Sequence, residues 1–395
     1  MVKWVLNIMF FLALINFSYA QKTTFQTGKP TSKTYYSEIP YKNVRGKLII
    51  PVTINNKTYR FLFDTGAPNL ISLTLQKEIN NSNDKSISVS DANQNKQRMA
   101  LTTVPLLTLG NLSFKNTSAL VFDSSNNLVF DCYAIDGIIG SNLLRKSIVQ
   151  IQFKESKIIL TNDSKKLRLD KTKGIDLMLR GNQSSPYINI KIKDHKNANE
   201  NVLIDTGASG FYDMCKTNYK LLQEHDILSN TINGEGASSL GLFGASEAET
   251  QYLVKIPSIE IDGHTFTNIS TITSSDDNSR IGSDILENGI MTLDFKHKRF
   301  YFDAYSAESD MTENNFGLTP TIQDNLLIVG IVWDEDLKDK IHVGDRILKI
   351  NDMDLSTMDI CDLLTKDSPF KSSDSIHITI KNKAGETNSF NLEKH

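Results

Sequence analysis

Apolar residues in this chain come in short runs, alternating with polar residues or cut by turn formers, and the pattern predicts strands. Lys47-Leu48-Ile49-Ile50-Pro51-Val52-Thr53-Ile54 reads as one strand, Asn55-Asn56 as a turn, and residues 59–63 as the returning strand. Farther on, Tyr187-Ile188-Asn189-Ile190-Lys191-Ile192 alternates and leads through a polar turn to Asn201-Val202-Leu203-Ile204. Each hairpin delivers an Asp at the end of its second strand, Asp64 in one case and Asp205 in the other. Past residue 305 the pattern changes. Apolar runs at 326–332, 341–351 and 375–380, with a short helix at 357–364, predict a small β-rich domain.

The main body repeats itself. Asp64-Thr65-Gly66-Ala67 and Asp205-Thr206-Gly207-Ala208 stand 141 residues apart. Ile139-Gly140-Ser141-Asn142-Leu143-Leu144 matches Ile281-Gly282-Ser283-Asp284-Ile285-Leu286 at an offset of 142, and Ile148, Gln152, Phe153 and Lys154 continue it to Ile290, Asp294, Phe295 and Lys296. Each Gly-Ser-x-x-Leu reads as a strand stop followed by a short helix, and each half closes on a strand-like run, 157–160 or 299–302. A period this long is no solenoid repeat. It predicts two similar lobes about a pseudo-twofold axis.

Two carboxylates brought together by such halves cannot both ionise easily, so they share one proton. One then serves as base and the other as acid on a single water. Gly66 and Gly207 permit sharp turns that aim backbone N–H groups at the carboxylates. Thr65 and Thr206 carry hydroxyls that can brace one loop against the other. Ile138-Ile139-Gly140 and Arg280-Ile281-Gly282 are placed to pack beside the Asp loops, glycine allowing close approach. A single Asp-Thr-Gly is an ordinary turn. Two in register, each after an apolar strand and each followed by a matched Ile-Gly, are not.

With 395 residues the chain suffices for two or three domains. A net charge of -3, with no long basic cluster interleaved with aromatics, argues against nucleic acid. Cys132, Cys215 and Cys361 show no metal-ligand spacing, and the seven His residues form no HExxH or HxH pattern, so neither metal nor other cofactor is expected. The cysteines read as buried or idle thiols, or Cys132 pairs with Cys215 in an exported protein. Met1-Val2-Lys3, the apolar stretch 4–17 and Ser18-Tyr19-Ala20 read as a signal peptide, 1–20, cleaved before Gln21. The chain then divides into a first lobe at 21–165, a second lobe at 166–305 and a C-terminal domain at 306–395, with linkers at 164–174 and 307–315.

The paired motif resembles aspartic proteases, specifically the retropepsin-like group whose halves each carry Asp-Thr-Gly-Ala and a later apolar-apolar-Gly. The likeness spans roughly residues 47–303, and Arg280 departs from it, standing where the second half should be apolar. The resemblance implies an all-β, bilobal acid-protease β-barrel fold with the cleft between lobes. It implies Asp64 and Asp205 as the catalytic pair, supported by Thr65, Gly66, Thr206 and Gly207. Both halves lie in one chain, so a monomer can hold a complete site. A flap over the peptide is also implied. The glycine-rich stretch 234–244 suits a mobile loop, and its first-half counterpart, 88–99, is polar and glycine-free. Ala67 and Ala208 stand where many pepsin-like enzymes have Ser or Thr, which predicts a less acidic working pH.

The tail resembles a PDZ domain in Val343-Gly344-Asp345-Arg346-Ile347-Leu348-Lys349-Ile350-Asn351, with Phe316-Gly317-Leu318 where a carboxylate-binding loop would fall. That implies capture of a peptide C-terminus on a sheet edge, or a module that packs and binds nothing. The function expected is an exported aspartic endopeptidase acting on peptide or protein substrates. Its place would be a bacterial periplasm or cell envelope, or the extracellular space, off the membrane after signal removal. The alternative is a catalytically silent peptide-binding protein of the same fold. A two-carboxylate glycosidase is a weaker third reading, since that chemistry needs no paired Asp-Thr-Gly loops.

Overall fold

The computed structural model describes residues 25–79, 85–125, 127–237, 240–371 and 373–394. The expected signal peptide, 1–20, lies outside them, as do residues 238 and 239 of the glycine-rich stretch.

The fold is all-β, with its strands gathered into several sheets. In the first lobe Lys47–Ile54 pairs antiparallel with Lys57–Asp64. Asn55 and Asn56 between them have φ of 50° and 61°, the left-handed values that a two-residue hairpin turn requires and asparagine tolerates. From Phe61 onward both faces of the second strand are covered. Phe61 and Phe63 enter the main core, while Leu62 joins a separate cluster with Ile49, Leu70, Leu120 and Ile138. The strand then runs parallel to Gly137–Gly140, with Gly140 beside Asp64. The second lobe repeats this: Ser185–Lys193 pairs with Asn197–Ile204, which runs parallel to Arg280–Ile281. Each Asp therefore leaves the end of a strand that is fixed by packing on both sides.

The repeat closes on itself in a six-stranded sheet. Its two central strands are Ile148–Gln152 and Gly289–Asp294, flanked by Lys157–Thr161 and Arg299–Ala304. Tyr36–Pro40 adds an edge strand beside Lys157–Thr161. At the centre Gln150 lies opposite Thr292, its own counterpart 142 residues later, and donates from Nε2 to Thr292 Oγ1 at 3.0 Å. A residue that faces its own repeat equivalent marks the passage of the pseudo-twofold axis.

Residues 316–394 gather about a separate core that includes Phe316, Leu318, Val329, Ile347, Ile378 and Leu392. Strands Leu326–Val332 and Ser375–Lys381 lie where the apolar runs predict them. The run 341–351 is a strand only over Arg346–Ile350. Before it, Asp345 Oδ2 accepts the His342 N–H at 2.9 Å and closes a turn. The expected helix at 357–364 starts later, as Ile360–Thr365, because the Asp359 side chain caps it through the Cys361 N–H. The stretch 307–315 is more than a linker: Glu308–Asp310 forms a strand parallel to His264–Ile272 of the second lobe.

This C-terminal module is tied to the body on two sides. Gly236, at the end of Asn230–Gly236, pairs with Ile331, and the Ala237 N–H donates to Gly330 O at 3.2 Å. On the other side, a disulfide joins Cys132 of the first-lobe helix Leu128–Tyr133 to Cys361 of Ile360–Thr365. This corrects the Cys132–Cys215 pairing and the reading of all three as thiols. Cys215 is a free, buried thiol at the start of the second-lobe helix Lys216–Glu224.

Candidate active site

The chain turns sharply after each Asp. Asp64 Oδ1 accepts the N–H groups of Gly66 and Ala67, both at 2.9 Å. Asp205 Oδ1 accepts those of Gly207 at 3.0 Å and Ala208 at 3.2 Å. The threonines between them lock the two loops together. Thr65 Oγ1 donates to Ile204 O at 2.6 Å, and Thr206 Oγ1 donates to Phe63 O at 2.9 Å. In return Thr65 Oγ1 accepts the Thr206 N–H and Thr206 Oγ1 accepts the Thr65 N–H, each at 3.1 Å. Both threonines are buried, so these bonds do not compete with water. Each lobe thus holds the other at its strand end.

The glycines set how close the carboxyls come. A Cβ on Gly66 would lie 2.5 Å from Asp205 Cγ, and one on Gly207 would collide with Asp64 Cγ. Each glycine therefore seats the carboxyl of the opposite lobe. Gly207→Ala is expected to abolish any activity of the pair and to cost about 1–3 kcal/mol of stability by overpacking. Wild-type rates from a folded variant would contradict this. The matched Ile-Gly elements close the arrangement from behind: Ser141 N–H donates to Ala67 O at 3.0 Å and Ser283 N–H to Ala208 O at 2.9 Å.

All six residues expected at the site are therefore brought together. The carboxyls of Asp64 and Asp205 lie close enough to form a hydrogen bond once one of them is protonated. Burial, then the Asp205 charge and that hydrogen bond, push the Asp64 carboxyl well above the usual carboxylate range, against the opposing pull of the Ala67 N–H and of Lys47. Lys47, from the first strand, donates to Gly207 O. Burial draws its ammonium below the ordinary lysine value, although Asp205, Asp64 and Asp213 pull the other way.

Arg280 is the residue whose role sequence reasoning missed. It does not disturb the packing. Its Nη1 donates to Asp205 Oδ2 at 2.9 Å, with both side chains about one-tenth exposed. Asp276 holds the guanidinium from the other end, and Asp213 lies 4.0 Å from Nε. The available signal was the repeat itself: a buried strand position that is Ile138 in one half and Arg280 in the other.

The two expected flap stretches also meet. In the first lobe Ser86–Ser90 and Lys96–Leu109 form a hairpin with its tip at Asp91 to Asn95. In the second, Asn230–Gly236 pairs with Glu249–Ile261, and a small hairpin, Leu240–Gly241 with Gly244–Ala245, lies between them. Asp91 Oδ2 accepts the Phe243 N–H at 2.8 Å, Asn93 Nδ2 donates to Gly244 O at 2.9 Å, and Asn127 Nδ2 donates to Leu242 O at 2.8 Å. A cavity of about 270 Å³ beside this bridge is lined by Phe122, Val129, Leu242 and Phe243 among others.

In the C-terminal module, Leu318–Gln323 pairs with Leu326–Val332. Gly317 O accepts the Trp333 and Asp334 N–H groups at 2.8 and 3.1 Å.

No curated protein matches the chain in sequence. In structure it is similar to basic 7S globulin from soybean, at 10% identity over 69% of this chain and 96% of that one, with a TM-score of 0.41. Conglutin gamma, a basic 7S globulin from lupine seeds, is similar at 12% identity over 69% and 96%, with a TM-score of 0.38. A retropepsin-like aspartic protease from Rickettsia conorii is similar at 20% identity over 32% of this chain and 92% of that one, with a TM-score of 0.25. Residues 50–143, which carry Asp64-Thr65-Gly66 and Gly140, match the family model described as Aspartyl protease.

Proposed function

We propose that this chain is a single-chain aspartic endopeptidase that hydrolyses peptide bonds with a water held between Asp64 and Asp205. The observation that carries the reading is the interlocked pair of loops. Two carboxyls, each fixed by backbone N–H groups, meet across the reciprocal Thr65–Thr206 clasp, close enough to share a proton. The charged member takes a proton from the water, whose oxygen attacks the peptide carbonyl carbon. The protonated member gives its proton to the carbonyl oxygen, and a neutral gem-diol forms. A diol hydroxyl then returns a proton to a carboxylate, the amide nitrogen accepts one, and the C–N bond breaks. The protein forms no covalent bond with substrate. The bridged hairpins would cover an extended peptide and exclude bulk water.

The C-terminal module would take a peptide C-terminus at Phe316-Gly317-Leu318 and the edge of Leu318–Gln323. The Cys132–Cys361 disulfide supports export to an oxidising compartment, a bacterial periplasm or the cell exterior. The raised Asp64 carboxyl supports a working range less acidic than the ordinary carboxylate value near 3.9 allows. An acid whose pKa is raised keeps its proton to higher pH, so the alkaline limb of the rate profile moves toward neutrality. The test is digestion of a diverse peptide mixture by residues 21–395 across acidic to mildly basic pH, with products read by mass spectrometry. Internal cleavages are expected. A rate maximum below about pH 3 would contradict the pH assignment. No cleavage by folded protein at any pH would favour a silent peptide-binding role.

A further inference from the structure

We propose that Arg280 is a positioning residue that makes Asp205 the charged base of the pair and leaves the shared proton on Asp64. The assignment rests on the endopeptidase reading for its catalytic meaning, and on donor and acceptor bookkeeping for its structural content.

The two lobes differ at one decisive place. Ile138 and Arg280 hold equivalent positions, each on the strand parallel to the one that ends in Asp. Both are buried, but Ile138 faces an apolar cluster whereas Arg280 reaches Asp205. A guanidinium only donates. Asp205 Oδ2 must therefore accept from Nη1, while Oδ1 already accepts from Gly207 and Ala208. Three of the roughly four acceptor sites of a carboxylate are thus taken by fixed donors. The remaining one is free to accept from Asp64 or from water. Asp64 has the same two backbone donors and, among the described residues, no cation bonded to its carboxyl, so of the two acids it is the one that keeps the proton. Ala208 lacks the hydroxyl that would otherwise stabilise the charged Asp205, and Arg280 supplies that stabilisation instead.

The other charged groups around the pair agree with this assignment. Asp276 pairs with the guanidinium at Nη2, Asp213 stands 4.0 Å from Nε, and Asp284 adds negative charge near Asp213. Lys47 approaches from the first lobe and donates to Gly207 O in the Asp205 loop. A proton on Asp205 would take the one site that no fixed donor fills, and it would leave a buried guanidinium facing a neutral acid.

The test has two arms. Carbon-13 NMR of labelled aspartate carboxyls in the full chain without substrate, assigned with Asp64→Asn and Asp205→Asn, reads where the proton sits. In the wild type Asp205 should be the charged carboxylate and Asp64 the protonated acid throughout the range in which the pair holds one proton. The reverse order overturns the proposal whether or not the chain cleaves peptides. Arg280→Ile copies the first lobe and should move the first ionisation of the pair up by about one pH unit or more. The acid limb of kcat/KM should move with it, a loss of roughly tenfold on that limb, while Arg280→Lys moves it less. A folded Arg280→Ile with an unmoved titration also overturns the assignment, and if that variant fails to fold, the wild-type spectrum and Arg280→Lys decide. Complete absence of cleavage, with the charge on Asp205 as stated, would refute the endopeptidase reading alone.

Discussion

Asp64→Asn and Asp205→Asn should each reduce kcat/KM by at least roughly 10³-fold, the scale expected when a positioned acid or base can no longer move its proton. The double variant should be little worse than either single one, because in the proposed mechanism the two groups act on one water as a unit. Their effects on stability should diverge. Asn at 64 keeps the side-chain shape and an oxygen for the Gly66 and Ala67 N–H groups, and it removes an acid that burial already disfavours in its charged form. Its unfolding midpoint should stay at or above that of the wild type. Asn at 205 takes the charge from Arg280 Nη1 at a site about one-tenth exposed. Breaking a buried pair costs about 3–5 kcal/mol, and the lower end applies because Asp276 still holds the guanidinium. Denaturant midpoints would show the asymmetry, and equal midpoints would contradict the ion pair.

Loss of the disulfide should be the largest single effect on stability. Cys132 and Cys361 close a loop of 229 residues, and chain entropy alone assigns such a cross-link about 5 kcal/mol. The bond also fixes how the C-terminal module sits on the first lobe. Around it Tyr133 Oη donates to Leu364 O at 3.0 Å and Arg45 Nη1 to Leu363 O at 2.6 Å. Those contacts remain in Cys361→Ser but lose their covalent anchor. The thermal midpoint should fall by several degrees, and the segment near residue 311 should become sensitive to added protease. An unchanged midpoint and unchanged sensitivity would show that the noncovalent contacts, at Gly236 and Ile331 and at Leu363 and Leu364, hold the module without the disulfide.

The hairpins that deliver the aspartates were legible because their cues are local. Alternation, an Asn-Asn turn and an apolar run before Asp64 all act within about twenty residues. The lobes were legible because the repeat lists the same cues twice. What escaped the sequence depends on distance in space. Nothing around Cys132 distinguishes Cys361 from Cys215 as its partner, since pairing is decided by separations that only the fold supplies. Asp91 and Asn93 look like ordinary turn residues, and their bonds to Phe243 and Gly244 cross between lobes. Glu308–Asp310 is polar enough to read as a linker, yet it pairs with a strand of the second lobe. Arg280 broke the expected apolar pattern, and the break falls at the site itself, where local rules yield to function.

One parallel digestion tests the two-aspartate mechanism directly. Wild type, Asp64→Asn and Asp205→Asn, each shown to be folded, are incubated with the same diverse peptide mixture at the pH where the wild type is fastest. Mass spectrometry counts new internal termini. The two-aspartate water mechanism predicts cleavage by the wild type and none above background by either variant. Cleavage that survives in either variant would contradict it.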